Sequence, residues 1–113
     1  MRNDKQWLED IIAAIEKITK YSVLGKEKFI NDELIQVWVI FQFQVIGEAA
    51  NKLSSNLKQN SIEIRWKEIV GLRNFIVHEY FGIDLDEIWN TVQKDIPILE
   101  KQILELIDKI NDI

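Results

Sequence analysis

The sequence predicts an all-α protein, an up-and-down bundle of four to five helices. Apolar residues recur at three- and four-residue steps along most of the chain, which is the period of amphipathic helices. One proline and four glycines in 113 residues leave few places where such helices must end. No strand pair is visible and the predicted loops are short, so neighbouring helices should pack antiparallel. Residues 1–113 are treated as one domain with its own core.

The first half of the chain predicts two long helices. The first spans about residues 4–20, on the apolar positions Trp7, Leu8, Ile11, Ile12, Ile15 and Ile18. Residues 21–31 form a connection with at most one short turn, and Asn31 or Asp32 is placed to cap the next helix. The second helix runs to about residue 54, and the polar stretch 54–61 is predicted to be a loop.

The second half predicts two further helices. The third begins near Trp66 and ends near Tyr80, because Gly82 is well placed as its C-terminal cap. The fourth begins at about residue 84 and continues to the end of the chain. Pro97 should kink or restart it, because proline lacks the backbone N–H that a helix interior uses, and Asp95 is a candidate for the new cap.

Composition and charge restrict the classes of function. The chain has no cysteine, which excludes disulfides, thiolate zinc sites and cysteine nucleophiles and fits a reducing cytosol. No signal peptide and no apolar run of about 18 residues is visible, so we predict a cytoplasmic protein with no membrane partner. The net charge of −5 argues against a broad, nonspecific nucleic-acid surface. The acids Asp84, Asp86 and Glu87 are interpreted as helix-start residues, and neither a metal nor a cofactor is predicted.

One short segment carries residues suited to chemistry on RNA. The single histidine, His78, lies five residues after Arg73 and two before Tyr80. Histidine titrates near neutrality and transfers protons, while arginine is a permanent cation shaped to hold phosphate oxygens. Asn74 and His78, four residues apart, would share a helix face. Such a cluster can position a ribose 2′-hydroxyl, move its proton through His78 and stabilise phosphorane charge with Arg73, without a metal.

Spacing alone also permits structural roles for these residues. A lone histidine in the last turn of a helix often serves as a cap, and Arg73 would then be a solvated charge. Tyr80 is more often a half-buried aromatic with one hydrogen bond. Glu48 lies in a small-residue stretch where Gly47 and Ala50 permit close helix approach. It is either a partly buried acid that pairs with Arg73 or the histidine, or a solvated carboxylate.

The segment Arg73–Tyr80 resembles the motif of HEPN-domain proteins, and the chain resembles their HepT-like toxin branch. The resemblance extends to residues 46–50, to the lead-in 66–74, to the exit 80–84 with the later Ile88-Trp89, and to the proline at position 97. Order and spacing agree over nearly the whole chain, which makes the match far more specific than the Arg-to-His spacing.

The resemblance implies a helical bundle that pairs into a homodimer, in which the motifs of two subunits face one cleft. It also implies metal-independent RNA cleavage, with Arg73 and His78 as catalytic residues. We predict that Asn74 and Glu48 support them. Glu79 stands where many relatives carry glycine, and a carboxylate beside His78 would raise the pKa of that histidine or repel RNA.

The partner implied by the resemblance is a minimal nucleotidyltransferase that acts as antitoxin. In this branch it adds AMP to the tyrosine two residues after the histidine, which corresponds to Tyr80. Two other functions stay open. The chain is alternatively a noncatalytic nucleotide- or substrate-binding partner of a nucleotidyltransferase, or a structural dimeric adaptor.

Overall fold

The computed structural model describes residues 2–75 and 84–112, and within these ranges it contains helices and turns but no β-strand. The predicted all-α fold is confirmed. The α-helices, in chain order, are α1 (Asp4–Ser22), α2 (Lys26–Ile30), α3 (Glu33–Lys52), α4 (Ser55–Gln59), α5 (Trp66–Val70), α6 (Leu85–Asn90) and α7 (Ile96–Asn111). A 3-10 turn (Gly71–Asn74) follows α5, and a π-helical turn (Thr91–Asp95) joins α6 to α7.

The two long N-terminal helices pack antiparallel, as predicted. The start of α1 is fixed by a capping box. The side-chain oxygen of Asn3 accepts a hydrogen bond from the Gln6 backbone N–H, and the side-chain oxygen of Gln6 accepts one from the Asn3 backbone N–H. The carboxylate of Asp4 accepts hydrogen bonds from the Ser54 backbone N–H at 2.8 Å and from its hydroxyl at 2.6 Å. The first residue of α1 therefore lies beside the chain that leaves α3.

The centre of the core is α3, which buries two faces. One face packs on α1 and the other on α5 and the 3-10 turn, while α7 covers a further side of α1. The fully buried apolar side chains include Leu8, Ile11, Ile15, Ile18, Val39, Ile40, Phe43, Ile46, Ile88 and Ile103. A helix buried on two faces needs apolar residues around most of its circumference, which explains its long uncharged run from Leu34 to Gly47.

Two connections contain short helices. Helix α2 follows Gly25, whose φ of 97° lies in the left-handed region that favours glycine. The prediction of a loop at residues 54–61 is wrong, because α4 occupies Ser55–Gln59. Its cap is Ser54, whose hydroxyl accepts from the Leu57 N–H at 3.2 Å, so a polar stretch with a good cap forms one helical turn.

The predicted third helix is much shorter than expected. Helix α5 ends at Val70, the chain tightens into the 3-10 turn, and Phe75 is extended with φ −73° and ψ 103°. A continuous helix through residues 71–75 is therefore wrong. The reason is tertiary, because α3 holds the turn by contacts that a longer helix would break. The predicted end near Tyr80 and its cap at Gly82 lie outside the described residues.

The C-terminal helical segment is irregular just before its proline, where the sequence predicted a kink or a restart, because a π-helical turn joins α6 to α7. Asp84 caps α6 by accepting from the Glu87 N–H at 3.0 Å. Pro97 lies in the first turn of α7, where a missing N–H is tolerated. Asp95 as a cap is wrong, because its backbone is helical (φ −82°, ψ −39°) and its side chain makes no capping bond. The chain stays helical through the π-helical turn, so no helix start is exposed there.

The acids near residue 84 serve structural roles. Asp84 is occupied as a cap, and Asp86 lies 3.2 Å from the ammonium of Lys26. Within residues 2–75 and 84–112, no three His, Cys, Asp or Glu side chains are grouped to hold a metal ion.

We expect the cap of α3 to make stability depend on pH. The carboxylate of Asp32 accepts from the Ile35 N–H at 3.2 Å and lies 3.2 Å from the Lys28 ammonium. The backbone hydrogen bond first, and then Lys28, lower the pKa of Asp32 below its usual value. A depressed folded-state pKa stabilises the fold above the unfolded-state value of about 3.9. This stabilisation is lost as the pH falls through the folded-state pKa.

The Asp32→Asn variant tests this, because asparagine keeps a capping oxygen without the charge. At pH 7 it should melt below wild type, and the two melting temperatures should converge as the pH falls below about 3.9 and then through the folded-state pKa. Asp32→Ala, which lacks the oxygen, should melt below Asp32→Asn throughout this range. A gap between wild type and Asp32→Asn that is constant with pH would contradict the role of the charge.

Candidate functional site

Arg73 lies at the surface, where the 3-10 turn meets α3. Its Nη1 donates to Oε2 of Glu48 at 3.1 Å, and the two residues are 25 positions apart in sequence. The other oxygen of Glu48 lies 3.8 Å from the ammonium of Lys52, one helical turn further along α3. The side chains of Arg73 and Glu48 are 39% and 50% exposed. The guanidinium is therefore held in place and still reachable from solvent.

The backbone that carries Arg73 packs directly against the backbone of α3. A Cβ built on Gly47 would lie 2.9 Å from the Val70 carbonyl oxygen and 3.0 Å from the Arg73 nitrogen, and it would also meet Cγ of Arg73. This close approach confirms the prediction that Gly47 permits tight packing.

The chain beyond Arg73 is also fixed on α3. The side-chain amide of Gln44 donates to the Phe75 carbonyl oxygen at 3.3 Å. The rings of Phe43 and Phe75 meet edge to face with centroids 5.4 Å apart. The exit of the 3-10 turn is thus held by two side chains of α3.

The Arg73–Glu48 pair positions a charge more than it stabilises the fold. Exposed ion pairs contribute about 0–1 kcal/mol, because water screens both charges. A guanidinium has five N–H donors, of which Glu48 engages one, and a phosphate can take others in the bidentate geometry that arginine favours. The arrangement suits transient binding of a phosphate group.

The structure brings two of the five predicted site residues into contact, Glu48 and Arg73, and describes a third, Asn74, beside them in the chain. Glu48 contacts Arg73, as one of the two readings of its sequence context predicted, although it is half exposed rather than buried. Asn74 follows Arg73 at the end of the 3-10 turn and is exposed. His78 and Tyr80 lie outside the described residues. Phe75 interrupts the helix that was predicted to place residues 74 and 78 on one face.

Gln44 is the site residue that the sequence reasoning missed. It lies one turn before Glu48 on α3, at the spacing that places both side chains on one face. The available signal was a polar residue one turn before a candidate acid, within the uncharged run of α3.

An apolar surface on α3 runs toward this site. Leu34, Val37, Trp38 and Phe41 are 83%, 39%, 37% and 52% exposed, and the last two rings stack with centroids 5.9 Å apart. These positions recur at helical steps that continue to Glu48. We call these four residues the α3 apolar face. Large exposed apolar surfaces commonly mark interaction sites.

No helix within the described ranges is both long and apolar enough to cross a membrane.

Comparisons with known proteins identify similar chains. The model of the family described as Ribonuclease HepT-like matches residues 11–106. A proposed RNase of Caldanaerobacter subterraneus subsp. tengcongensis is 34% identical over 110 residues, which cover 96% of this chain and 98% of that protein. A proposed RNase of Methanocaldococcus jannaschii is 33% identical, with coverage of 90% and 94%. "Probable ribonuclease HepT" of Thermococcus cleftensis is 38% identical, with coverage of 88% and 91%. No solved structure matches the chain with comparable significance.

Proposed function

The chain belongs to the HepT-like ribonuclease family, and from this premise we propose that it is a metal-independent endoribonuclease, the toxin of a toxin–antitoxin pair. The observation that carries the proposal is the placement of Arg73. Its guanidinium is held at the surface by Glu48, next to Asn74 and five residues before the only histidine of the chain.

The proposed reaction is an attack by the ribose 2′-oxygen on the adjacent phosphorus. His78 accepts the proton of the 2′-hydroxyl, the new P–O2′ bond forms, and the P–O5′ bond breaks. The leaving 5′-oxygen takes up a proton, and the other product carries a 2′,3′-cyclic phosphate. Arg73 stabilises the charge of the phosphorane, while Asn74 orients His78 or the phosphate. Glu48 keeps the guanidinium of Arg73 aimed at the cleft.

A homodimer fits this mechanism better than a monomer does. Each chain has one histidine, so two chains are needed to supply an acid and a base as separate imidazoles. We place the two-fold axis close to the segment that carries Arg73, and the α3 apolar face beside it forms part of the contact. The uncharged run of α3 supports this, because the centres of protein interfaces are depleted in charged residues.

The partner and location follow from the same proposal. A minimal nucleotidyltransferase encoded beside the toxin acts as antitoxin by modifying Tyr80, and the RNA substrate places both proteins in the cytoplasm. A noncatalytic partner that binds a nucleotide or substrate for that enzyme is the second candidate function. The net charge of −5 favours the second candidate, because a ribonuclease would have to bind RNA against the repulsion of its own negative net charge.

Removal of either catalytic side chain should abolish RNA cleavage. His78→Ala and Arg73→Ala should each lower the rate by about 100-fold or more, which is typical of lost proton transfer or lost charge stabilisation. Arg65→Ala is the matched control, since it removes an exposed arginine eight residues earlier and should change the rate less than about twofold. The melting temperature of Arg73→Ala should stay near that of wild type.

The assay measures degradation of a defined RNA and the end groups of the products by mass spectrometry. EDTA should leave the rate unchanged, and the products should carry 2′,3′-cyclic phosphates. Unchanged cleavage by purified His78→Ala would remove the catalytic role of His78, and inhibition by EDTA would remove the metal-free mechanism.

The purified protein should be a dimer at micromolar concentration. Light scattering should give twice the mass of the chain, and Phe41→Asp should lower it to the monomer mass by burying a charge in the contact. Ile62→Asp is the matched control, because Ile62 is 84% exposed and lies in the connection between α4 and α5, outside α3. A monomeric wild type, or a Phe41→Asp variant that remains dimeric, would contradict the proposed interface.

Modification of Tyr80 with AMP should inhibit the enzyme without unfolding it. The tyrosine oxygen attacks the α-phosphorus of ATP and pyrophosphate leaves, which attaches a bulky anion close to the cleft. This anion repels RNA phosphates and competes for Arg73. Intact and peptide masses, after incubation with the neighbouring nucleotidyltransferase and ATP, measure the adduct.

The two tyrosines of the chain allow a clean control. Tyr80→Phe should gain no AMP mass, whereas Tyr21→Phe should be modified like wild type. An adduct on another residue, or none at all, would return Tyr80 to a structural or substrate-contacting role.

A further inference from the structure

Gly47 is an unusual residue for the interior of a long helix. Its φ is not positive, so the backbone conformation does not demand glycine. Glycine destabilises a helix interior by about 1 kcal/mol relative to alanine. A compensating contact is therefore expected at this position.

That contact is the approach of the 3-10 turn. The atoms that a Cβ on Gly47 would meet are the Val70 carbonyl oxygen at 2.9 Å, the Arg73 nitrogen at 3.0 Å, and Cγ of Arg73. Two of the three belong to the backbone and cannot rotate away. A carbon prefers a separation of about 3.5 Å or more from such atoms, so a side chain at position 47 would move the turn by about half an ångström.

Gly71 provides an internal comparison. It belongs to the same turn, yet the nearest atom to a Cβ built on it is Nδ2 of Asn74 at 4.0 Å, an ordinary contact. Its backbone is right-handed helical, with φ −63° and ψ −16°. An alanine therefore fits at position 71 and not at position 47.

Three residues on two neighbouring turns of α3 thus fix the position of Arg73. Gly47 sets the position of its backbone, and the next residue, Glu48, binds its guanidinium at 3.1 Å. One turn earlier, Gln44 holds the Phe75 carbonyl oxygen and so fixes the exit of the turn.

We propose that Gly47 is a positioning residue for Arg73, with Gln44 as a second fixing point. The absence of a side chain at Gly47 sets the distance between α3 and the 3-10 turn and thereby aims the guanidinium. The catalytic consequence rests on the proposed ribonuclease function, while the structural consequence does not.

The test compares Gly47→Ala with Gly71→Ala. If Arg73 acts in the transition state, Gly47→Ala should lower kcat for RNA cleavage by about 10-fold with little change in KM, because a displacement of about 1 Å can reduce a rate 100-fold and the expected displacement is about half of that. Gly71→Ala should leave kcat within about twofold.

A second readout needs no activity. The side-chain Nε–H signal of Arg73 in an NMR spectrum, assigned by its loss in Arg73→Lys, reports the guanidinium environment. Glu48→Gln calibrates the shift that follows from loss of the ion pair. Gly47→Ala should shift this signal, and Gly71→Ala should leave it in place.

The outcomes separate the inference from the proposed function. A wild-type protein that cleaves no RNA would defeat the function, and the NMR signal would still decide the role of Gly47. An unchanged Arg73 signal in Gly47→Ala, or an equal shift in Gly71→Ala, would overturn the inference. If Gly47→Ala does not fold, Gln44→Met removes the bond to Phe75 without adding a clash. It should shift the same signal and lower kcat several-fold, and an unchanged signal would overturn the inference.

Discussion

The close approach of the 3-10 turn to the backbone of α3 is the constraint on which the candidate site depends. A carbonyl oxygen and an amide nitrogen of the turn occupy the space where a side chain of position 47 would stand. This contact ends α5 early, turns the chain before Phe75 and brings Arg73 within hydrogen-bond distance of Glu48. Backbone contacts are stiffer than side-chain contacts, so a cation mounted on such a turn has a defined position even though its side chain is exposed.

The same helix meets three different requirements around its circumference. One face packs on α1, another receives the turn, and a third remains apolar and exposed from Leu34 to Phe41. Such a helix cannot be amphipathic in the usual sense, and several of its polar residues hold neighbouring segments. Asp32 caps its start, while Gln44 and Glu48 hold the segment that carries Arg73.

Local patterns in the sequence predicted the long helices and the residues at their ends well. Helices α1 and α3, the cap at Asp32 and the irregular turn before Pro97 depend on periodicity and backbone chemistry within one or two turns, which a sequence displays. The wrong prediction of a continuous helix through residues 71–75 has a different origin. Leu72 and Phe75 have the apolar spacing of a helix, but a contact with a residue more than twenty positions away selects a tighter turn. The sequence offered the pairing of Arg73 with Glu48 only as one alternative. The spacing of residues along the chain does not give the distance between side chains on different helices. The roles of His78 and Tyr80 stay predictions.

The two cationic neighbours of Glu48 determine the net charge of this part of the surface. Arg73, Lys52 and Glu48 together carry a formal charge of two positives and one negative, a single net positive charge on a chain whose total is −5. A phosphodiester brings one negative charge, so its arrival would make this group of side chains neutral. If the phosphate takes Arg73 from Glu48, the carboxylate keeps Lys52 as a counterion and is not left uncompensated. A chain whose net charge repels RNA therefore carries, at Arg73, Lys52 and Glu48, a local net charge that a single phosphate balances.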